Sequence, residues 1–454
     1  MEMKYRKVLV FGSGKSGIGA CQLLERHGAA VLLYDGNDKL DMAELKEKLG
    51  EKSTVEIVLG DFPEKRIESL DLVVMSPGVP TDLPVINRMR EAGIPVWGEI
   101  ELAYALGQGD VLAITGTNGK TTTTTLLGEI MKACRESVFV VGNIGNPYTC
   151  VADQMCPDTV TVAEISSFQL ETIEQFCPRV SAILNITPDH LNRHHTMENY
   201  IRVKEDIARN QGSGDTCVLN YEDEVLREFG KSIQGRVNIF WFSSQRKLAK
   251  GIYLENGNII YKDREEVTVC GVDELQLLGV HNYENVMAAA AMAISYGVPI
   301  ETIRTVVKAF KGVEHRIEYV CEKNGVVYYN DSKGTNPDAA IRAIRAMKCP
   351  TCLIGGGYDK QSEYDEWIDA FEGKVKKLVL IGATREKIAE TALRHGFPKE
   401  DLIFADTFEE AVGACVQHAV PGDAVLLSPA CASWGMFKNY EERGEKFKEL
   451  VNAL

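Results

Sequence analysis

The sequence predicts an α/β protein of three domains, each a mainly parallel sheet wrapped by helices. Three observations predict it. Short apolar runs recur along all 454 residues, and most lead into a polar loop followed by apolar residues at helical spacing. Several of those loops carry glycines where a strand hands over to a helix, the pattern of doubly wound sheets. The length is about three times a usual domain of ~150 residues. The joins fall near Gly98 and Gly312, giving domains at 1–98, 99–312 and 313–454.

Composition narrows the function classes. A formal charge of −15 excludes a protein made mainly to grip nucleic acid, because phosphate neutralisation needs a basic surface. No apolar run approaches the ~18 residues of a membrane span. The opening Met-Glu-Met-Lys-Tyr-Arg-Lys enters a strand without the apolar core of a signal peptide, so a cytoplasmic protein, with no membrane insertion, is expected. The 12 cysteines follow no framework spacing, which predicts reduced thiols; Cys349-Pro-Thr-Cys352 is a lone pair without a second one.

The first strand is Lys7-Val-Leu-Val-Phe11, and Gly12-Ser-Gly14-Lys-Ser-Gly17 opens a helix carrying Ile18, Cys21 and Leu24. The strand Val31–Asp35 then ends in a carboxylate about 20 residues beyond the glycines. This is a G-x-G-x-x-G fingerprint in its proper context, and taken alone it says dinucleotide-dependent oxidoreductase. The glycines also suit plain helix-on-sheet packing. After Asp71–Met75 and Ser76-Pro-Gly78, the domain has three or four strands by residue 98, about half of a dinucleotide fold, which suits a single nucleotide. The fold expected here is Rossmann-like.

Residues 111–125 organise the chain. Val111–Ile114 reads as a buried strand, Thr115–Gly119 as a tight loop, and Leu126, Leu127, Ile130 and Met131 continue at helical spacing. Strand, glycine loop and helix make a P-loop-type cradle for a phosphate: Gly116 and Gly119 free backbone N–H groups, Lys120 supplies charge, and the Thr121 hydroxyl can hold Mg²⁺. The pattern G-x-x-x-x-G-K-[ST] is shortened here, with Ile114 where its first glycine would stand.

Further strands follow at Val138–Gly142, Thr159–Glu164 and Ser181–Ile186. Glu164 lies at a C-terminal strand end, where such sheets place their ligands and a carboxylate can hold Mg²⁺. Asn199–Ile207 has helical spacing, and by composition Lys204 is a solvated helix lysine. Residues 215–270 carry hairpin signals and extend the sheet at one edge. Asn282 and Asn285 lie three apart at the start of an Ala-rich helix, Val286–Tyr296, where amides read a base or cap the helix.

The third domain opens with the polar cluster Val313–Glu318. Strands follow at Val326–Asn330, Cys352–Ile354, Leu378–Ile381, Leu402–Phe404 and Ala424–Leu427. Their repeated loops and helices predict another Rossmann-like parallel sheet.

Read together, these stretches resemble the Mur ligase family. Carrying the resemblance are Gly116-Thr-Asn-Gly-Lys-Thr121, Glu164-Ile-Ser-Ser-Phe-Gln-Leu-Glu171, Asp189-His190, His281-Asn282 with Asn285, Glu314-His-Arg316, Asp331-Ser-Lys-Gly-Thr-Asn336, and Ser428-Pro-Ala-Cys-Ala-Ser433 with Phe437–Tyr440. The last points to the member that adds D-glutamate to UDP-N-acetylmuramoyl-L-alanine rather than to a sibling or to a folylpolyglutamate synthase-like ligase.

The resemblance implies ATP-dependent amide ligation in peptidoglycan synthesis, through an acyl phosphate; a monomer is expected. It implies that Gly116, Thr117, Asn118, Gly119, Lys120, Thr121 and Thr122 hold ATP phosphates, with Asn282, Asn285, Arg316 and Asp331 on the rest of the nucleotide. Two Mg²⁺ would be held by Thr121 and Glu164, and by His190 with Lys204, the lysine carbamylated by CO₂. Ser16, Asp35 and Gly78 would line the uridine diphosphate pocket and Asn143 would meet the muramoyl group. His315 and Lys333 would lie near the reacting centre, and Thr335, Lys360, Ser433, Trp434 and Tyr440 would receive D-glutamate. One departure is Gly435, where the family usually has an acidic residue.

Overall fold

The computed structural model describes residues 5–454; the opening residues 1–4, part of the stretch read above for a leader, lie outside it. Three sheets form, and the chain divides into two compact units. One unit holds the chain up to Gly271 with Glu284–Val307, and the other holds Val272–Tyr283 with Lys308–Leu454.

The first unit contains two sheets. Strands β1 (Lys7–Phe11), β2 (Ala30–Asp35), β3 (Glu56–Leu59), β4 (Leu72–Met75) and β5 (Val96–Gly98) lie in the order β3-β2-β1-β4-β5, all parallel. The sequence reading of three or four strands is corrected to five. Glu56–Leu59 is a half-buried edge and Val96–Gly98 only three residues long, so neither carries a strong apolar period. Five strands in this order make most of a dinucleotide fold, so strand count no longer argues for a mononucleotide.

The second sheet comprises β6 (Asp110–Thr115), β7 (Val138–Gly142), β8 (Val160–Glu164), β9 (Val180–Ile183), β10 (Thr216–Asn220), β11 (Asn238–Ser243), β12 (Gly251–Glu255), β13 (Asn258–Lys262) and β14 (Glu266–Gly271). Their order is β14-β13-β12-β11-β10-β9-β6-β8-β7, with every pairing parallel except the antiparallel β12–β13 and β13–β14 at the edge. Strand β9 ends at Ile183 rather than Ile186, because the next residues turn to the glycine loop after β6: Leu184 N donates to Thr115 O at 3.0 Å and Thr117 N to Asn185 O at 2.9 Å. One apolar core runs through both sheets, from Val8 and Leu24 through Ile100 and Tyr148 to Leu219. The helix Lys15–Arg26 approaches so closely that a Cβ on Gly19 would stand 2.9 Å from Thr149 Oγ1 and Cys150 Sγ.

In the second unit, β15 (Glu318–Lys323), β16 (Val326–Asn330), β17 (Thr351–Gly355), β18 (Val375–Leu380), β19 (Leu402–Phe404) and β20 (Ala424–Leu427) lie in the order β15-β16-β20-β17-β18-β19. Two apolar clusters cover its two faces. The sheet is not wholly parallel as expected: β15 pairs antiparallel with β16. The signal was present in Asn324-Gly325, both at positive φ, the preferred two-residue hairpin turn. The helix expected to begin at Val286 begins at Val280, since Gly279 turns at φ +90° and Asn282 and Asn285 are buried despite being polar.

Candidate active site

Strand β6 delivers the chain to a loop that only glycine can make at two points. Gly116 sits at φ +150°, where a Cβ would lie 3.2 Å from Leu184 N; Gly119 sits at φ +85°, where it would lie 2.2 Å from Asn285 Oδ1. The helix Lys120–Lys132 starts directly after, presenting its N-terminal N–H groups. Asn185 clasps the loop from the next strand end: Asn118 N donates to its Oδ1 at 2.8 Å, and its Nδ2 donates to Asn118 O at 3.2 Å. The Thr117 hydroxyl lies 3.0 Å from Thr187 O and 3.0 Å from the Tyr200 hydroxyl. Thr121 is half-buried, Thr122 buried, and Thr123 Oγ1 donates to Asn285 Oδ1 at 3.4 Å.

Two lysines converge on this loop. Lys120 Nζ donates to Gly116 O and Thr117 O, both at 2.9 Å. Lys204 Nζ donates to the same Gly116 carbonyl at 2.8 Å and lies 4.8 Å from the Tyr200 ring centre. Composition made Lys204 a solvated lysine; it is instead 2% exposed. Burial first, then the neighbouring Lys120 charge, pull its pKa down to about 7, with Asp189 opposing. A buried ammonium beside a second one favours the neutral amine, which is the nucleophilic form.

Glu164 ends β8 with its carboxylate buried. Its Oε1 accepts from Asn143 Nδ2 at 2.7 Å, while Oε2 has no hydrogen-bond partner among the described residues. A buried carboxylate oxygen left unpaired costs roughly 1–3 kcal/mol or more, so a hard cation there fits the donor set. His190 stands at φ +52°, half-exposed, with Nε2 3.4 Å from Asp189 Oδ2 and its ring 5.0 Å from Phe168.

The first glycine loop is built for close packing. A Cβ on Gly17 would lie 1.8 Å from Gly12 O, and Ser76 Oγ donates to that carbonyl at 3.0 Å. Asp35 Oδ2 accepts from Ser13 N and Ser13 Oγ at 2.9 and 2.6 Å, and Oδ1 from Asn37 N at 3.0 Å. Both oxygens of the carboxylate that a dinucleotide fold turns to ribose therefore hold loop backbone here. Ser16 lies half-buried in the first helical turn and Gly78 is exposed after β4.

In the other unit, Asn282 Nδ2 donates to Leu278 O at 2.8 Å. Asp331 is buried at the end of β16, accepting from Ser428 Oγ at 2.7 Å and Ile317 N at 3.2 Å; burial pushes its pKa up to about 7. Arg316, exposed, opposes that rise with its charge and follows the buried His315 at φ +63°. His315, Lys333 and Tyr440 gather: Lys333 Nζ lies 5.4 Å and the His315 ring 5.9 Å from the Tyr440 ring. A second group joins Lys360 Nζ, 5.0 Å from the Trp434 ring, with Tyr358 against the same indole at 5.5 Å. Ser433 is buried, Thr335 half-buried, and Trp434 52% exposed. Gly435 uses φ +89°, a conformation that strains an acidic residue.

Sequence reasoning missed three supports. Asn185 and Tyr200 brace the Gly116–Gly119 loop. Arg443, buried, donates to Ser332 O at 2.7 Å, Ser332 Oγ at 3.0 Å and Cys431 O at 3.2 Å, tying the Asp331–Asn336 and Ser428–Ser433 stretches together. Its place in the charged run Glu-Glu-Arg-Gly-Glu-Lys hid it; for Asn185 the one signal was a polar residue closing an apolar strand.

Three domain descriptions match in order: MurD-like N-terminal domain over residues 6–98, Mur ligase middle domain over 114–293, and Mur ligase glutamate ligase domain over 315–431. The chain belongs to the Mur ligase family and is an enzyme of the ligase class. Over 99% of its length it is 58% identical to the UDP-N-acetylmuramoylalanine--D-glutamate ligase of Lachnoclostridium phytofermentans, covering 98% of that protein. It is 57% identical to the ligase of the same name from Lachnospira eligens, over 100% of both chains. The MurF ligase of Thermotoga maritima in complex with ADP shares the fold, with a TM-score of 0.57 and 18% identity, covering 99% of this chain and 96% of that one.

Proposed function

We propose that this protein joins D-glutamate to UDP-N-acetylmuramoyl-L-alanine at the expense of ATP, in peptidoglycan synthesis. The observation that carries the chemistry is the phosphate loop on which Lys120 and Lys204 converge. The identity to full-length ligases of that name carries the substrates. The muramoyl-alanine carboxylate attacks the γ-phosphorus of ATP; the bond to the bridging oxygen breaks, leaving ADP and an acyl phosphate. The D-glutamate amine then adds to the acyl carbon, and the tetrahedral intermediate expels inorganic phosphate and loses a proton to form the amide.

Two anions must meet in the first step, so charge neutralisation governs the rate. Lys120, on releasing Gly116 O and Thr117 O, supplies a cation to the phosphates, and the N–H groups opening its helix supply dipoles. Thr121 with Glu164 would hold one Mg²⁺, and His190 with Lys204 the other. Bound Mg²⁺ would offset charge on the transferring phosphoryl group. Lys204 as a CO₂ carbamate would become a carboxylate-like ligand. Asn143 hydrogen-bonds Glu164 and so orients it beside the muramoyl site we assign to it.

Thr117, Asn118, Gly119 and Thr122 complete the phosphate cradle, with Asn282, Asn285, Arg316 and Asp331 on the nucleoside. Ser16, Asp35 and Gly78 would meet the uridine diphosphate. His315 and Lys333 would serve the reacting carbonyl and phosphate, and Thr335, Lys360, Ser433, Trp434 and Tyr440 would take D-glutamate. We divide the chain at 1–98, 99–312 and 313–454 and assign it as a cytoplasmic monomer; among the described residues no helix is long and apolar enough to cross a membrane. The test is phosphate release from ATP, expected only when UDP-N-acetylmuramoyl-L-alanine and D-glutamate are both present. Equal turnover with L-alanine or meso-diaminopimelate would move the protein to a sibling activity.

A further inference from the structure

Asn330 ends β16 fully buried, and its amide orientation follows from its partners. Ser332 N donates to its Oδ1 at 3.1 Å, a backbone N–H that can only donate. The Nδ2 group therefore faces the other way, toward Glu318 Oε2 at 2.9 Å and His315 Nδ1 at 3.0 Å. An amide NH₂ has two protons and no acceptor capacity. One proton goes to the carboxylate, and the other is left for His315 Nδ1, which must be the bare, accepting nitrogen.

The ring has no room to escape this contact. A Cβ on Gly444 would lie 2.1 Å from His315 Nδ1, and the Tyr440 ring stands edge-on at 5.9 Å. Glu318 also accepts from His315 N at 2.8 Å, pinning the residue's backbone. On the opposite side, Nε2 lies 3.6 Å from Glu445 Oε1, and Glu314 offers a carboxylate to the same cluster. Lys448 pairs with Glu314 and lies 2.8 Å from Glu445 and 3.6 Å from Glu318. The charge balancing those acids is thus a lysine of the chain itself.

We infer that Asn330 is a positioning residue that holds His315 as the neutral tautomer with its proton on Nε2, so that His315 presents a hydrogen-bond donor outward. If His315 serves the reacting centre, it does so by donating from Nε2 to a developing oxygen charge, not by accepting a proton at Nδ1. That last step rests on the ligase reading above; the tautomer itself does not.

The test is a long-range ¹H–¹⁵N correlation spectrum of full-length protein labelled with ¹⁵N-histidine, at neutral pH without substrates. The His315 signals are identified by their loss in His315→Gln. A bare Nδ1 and a protonated Nε2 are expected. A protonated Nδ1, alone or in an imidazolium, would overturn the inference. In Asn330→Asp a carboxylate oxygen replaces the NH₂, and the His315 proton is expected to move to Nδ1; an unchanged tautomer would also sink it. Should that variant fail to fold by circular dichroism, Asn330→Ala and the wild-type spectrum decide. A folded Asn330→Asp with a moved proton is expected to lose at least tenfold in kcat with KM for ATP changed less than twofold. Unchanged kcat would leave Asn330's positioning role standing and remove His315 from the reacting centre.

Discussion

Replacing Lys204 by alanine is the sharpest perturbation of the proposed site. An ordinary lysine, with a pKa of about 10.4, is uncharged in roughly one molecule in 2,500 at pH 7. At the pKa of about 7 that burial and Lys120 impose on Lys204, about half of the molecules carry the free amine, a gain of ~10³ in the form that adds to CO₂. The proposed carbamylation would replace an amine 2.8 Å from Gly116 O with an anion able to hold metal. Losing a charge-stabilising group in such a site costs ~10²–10³ in rate, or roughly 3–4 kcal/mol. Lys204→Ala is therefore expected to drop kcat by that factor, and formate or acetate to restore part of it. Wild-type enzyme with ¹³C-bicarbonate is expected to show a carbamate carbon resonance that Lys204→Ala lacks. Activity should fall as pH drops through about 7, where Lys204 takes a proton and the carbamate is lost. Wild-type rates in Lys204→Ala, or full activity in CO₂-free buffer without the resonance, would refute the reasoning.

The same residue links folding to pH. Its folded pKa lies below its unfolded value, so between the two the unfolded chain binds more protons and stability rises with pH. From pH 7 to 9 urea titration should find wild type gaining up to about 2–3 kcal/mol relative to Lys204→Met; no difference would place the amine in water. Gly119→Ala forces a Cβ to 2.2 Å from Asn285 Oδ1 at φ +85°, costing at least about 1–2 kcal/mol of backbone energy alone; fluorescent ATP analogue titration should show binding weakened tenfold or more. Glu164→Gln should leave the melting temperature within a few degrees yet raise the Mg²⁺ needed for half-maximal rate at least tenfold. Arg443→Met should destabilise the second unit by about 3 kcal/mol, since the buried Ser332 and Cys431 carbonyls lose their donor; calorimetry reads this directly.

Much of the architecture was legible before any tertiary contact was known. β1, β7, β16 and β19 begin and end where their apolar runs do, because strand burial imprints a local pattern. The errors fall where that pattern is weak: the four-residue edge β3, the three-residue β5, and β15, whose half-buried residues alternate poorly. The helix start at Val280 was missed for the opposite reason. Asn282 and Asn285 are polar but buried, so hydrophobic periodicity begins a turn and a half too late.

By itself the sequence determined the strand, glycine loop and helix that we assign to phosphate, since a strand, two glycines at fixed spacing, a lysine and a helix start are all neighbours in the chain. It also placed Glu164 at a strand end and grouped the polar stretches of the second unit. Tertiary structure alone decided what those groups are chemically. Lys204 becomes a low-pKa amine only because folding brings it to a carbonyl 88 residues away, and His315 receives its tautomer from Asn330, 15 residues away on the neighbouring strand's end. Protonation depends on burial and on the charges and donors within a few ångströms, and those neighbours are set by the packing of distant segments, which no local pattern of residues records.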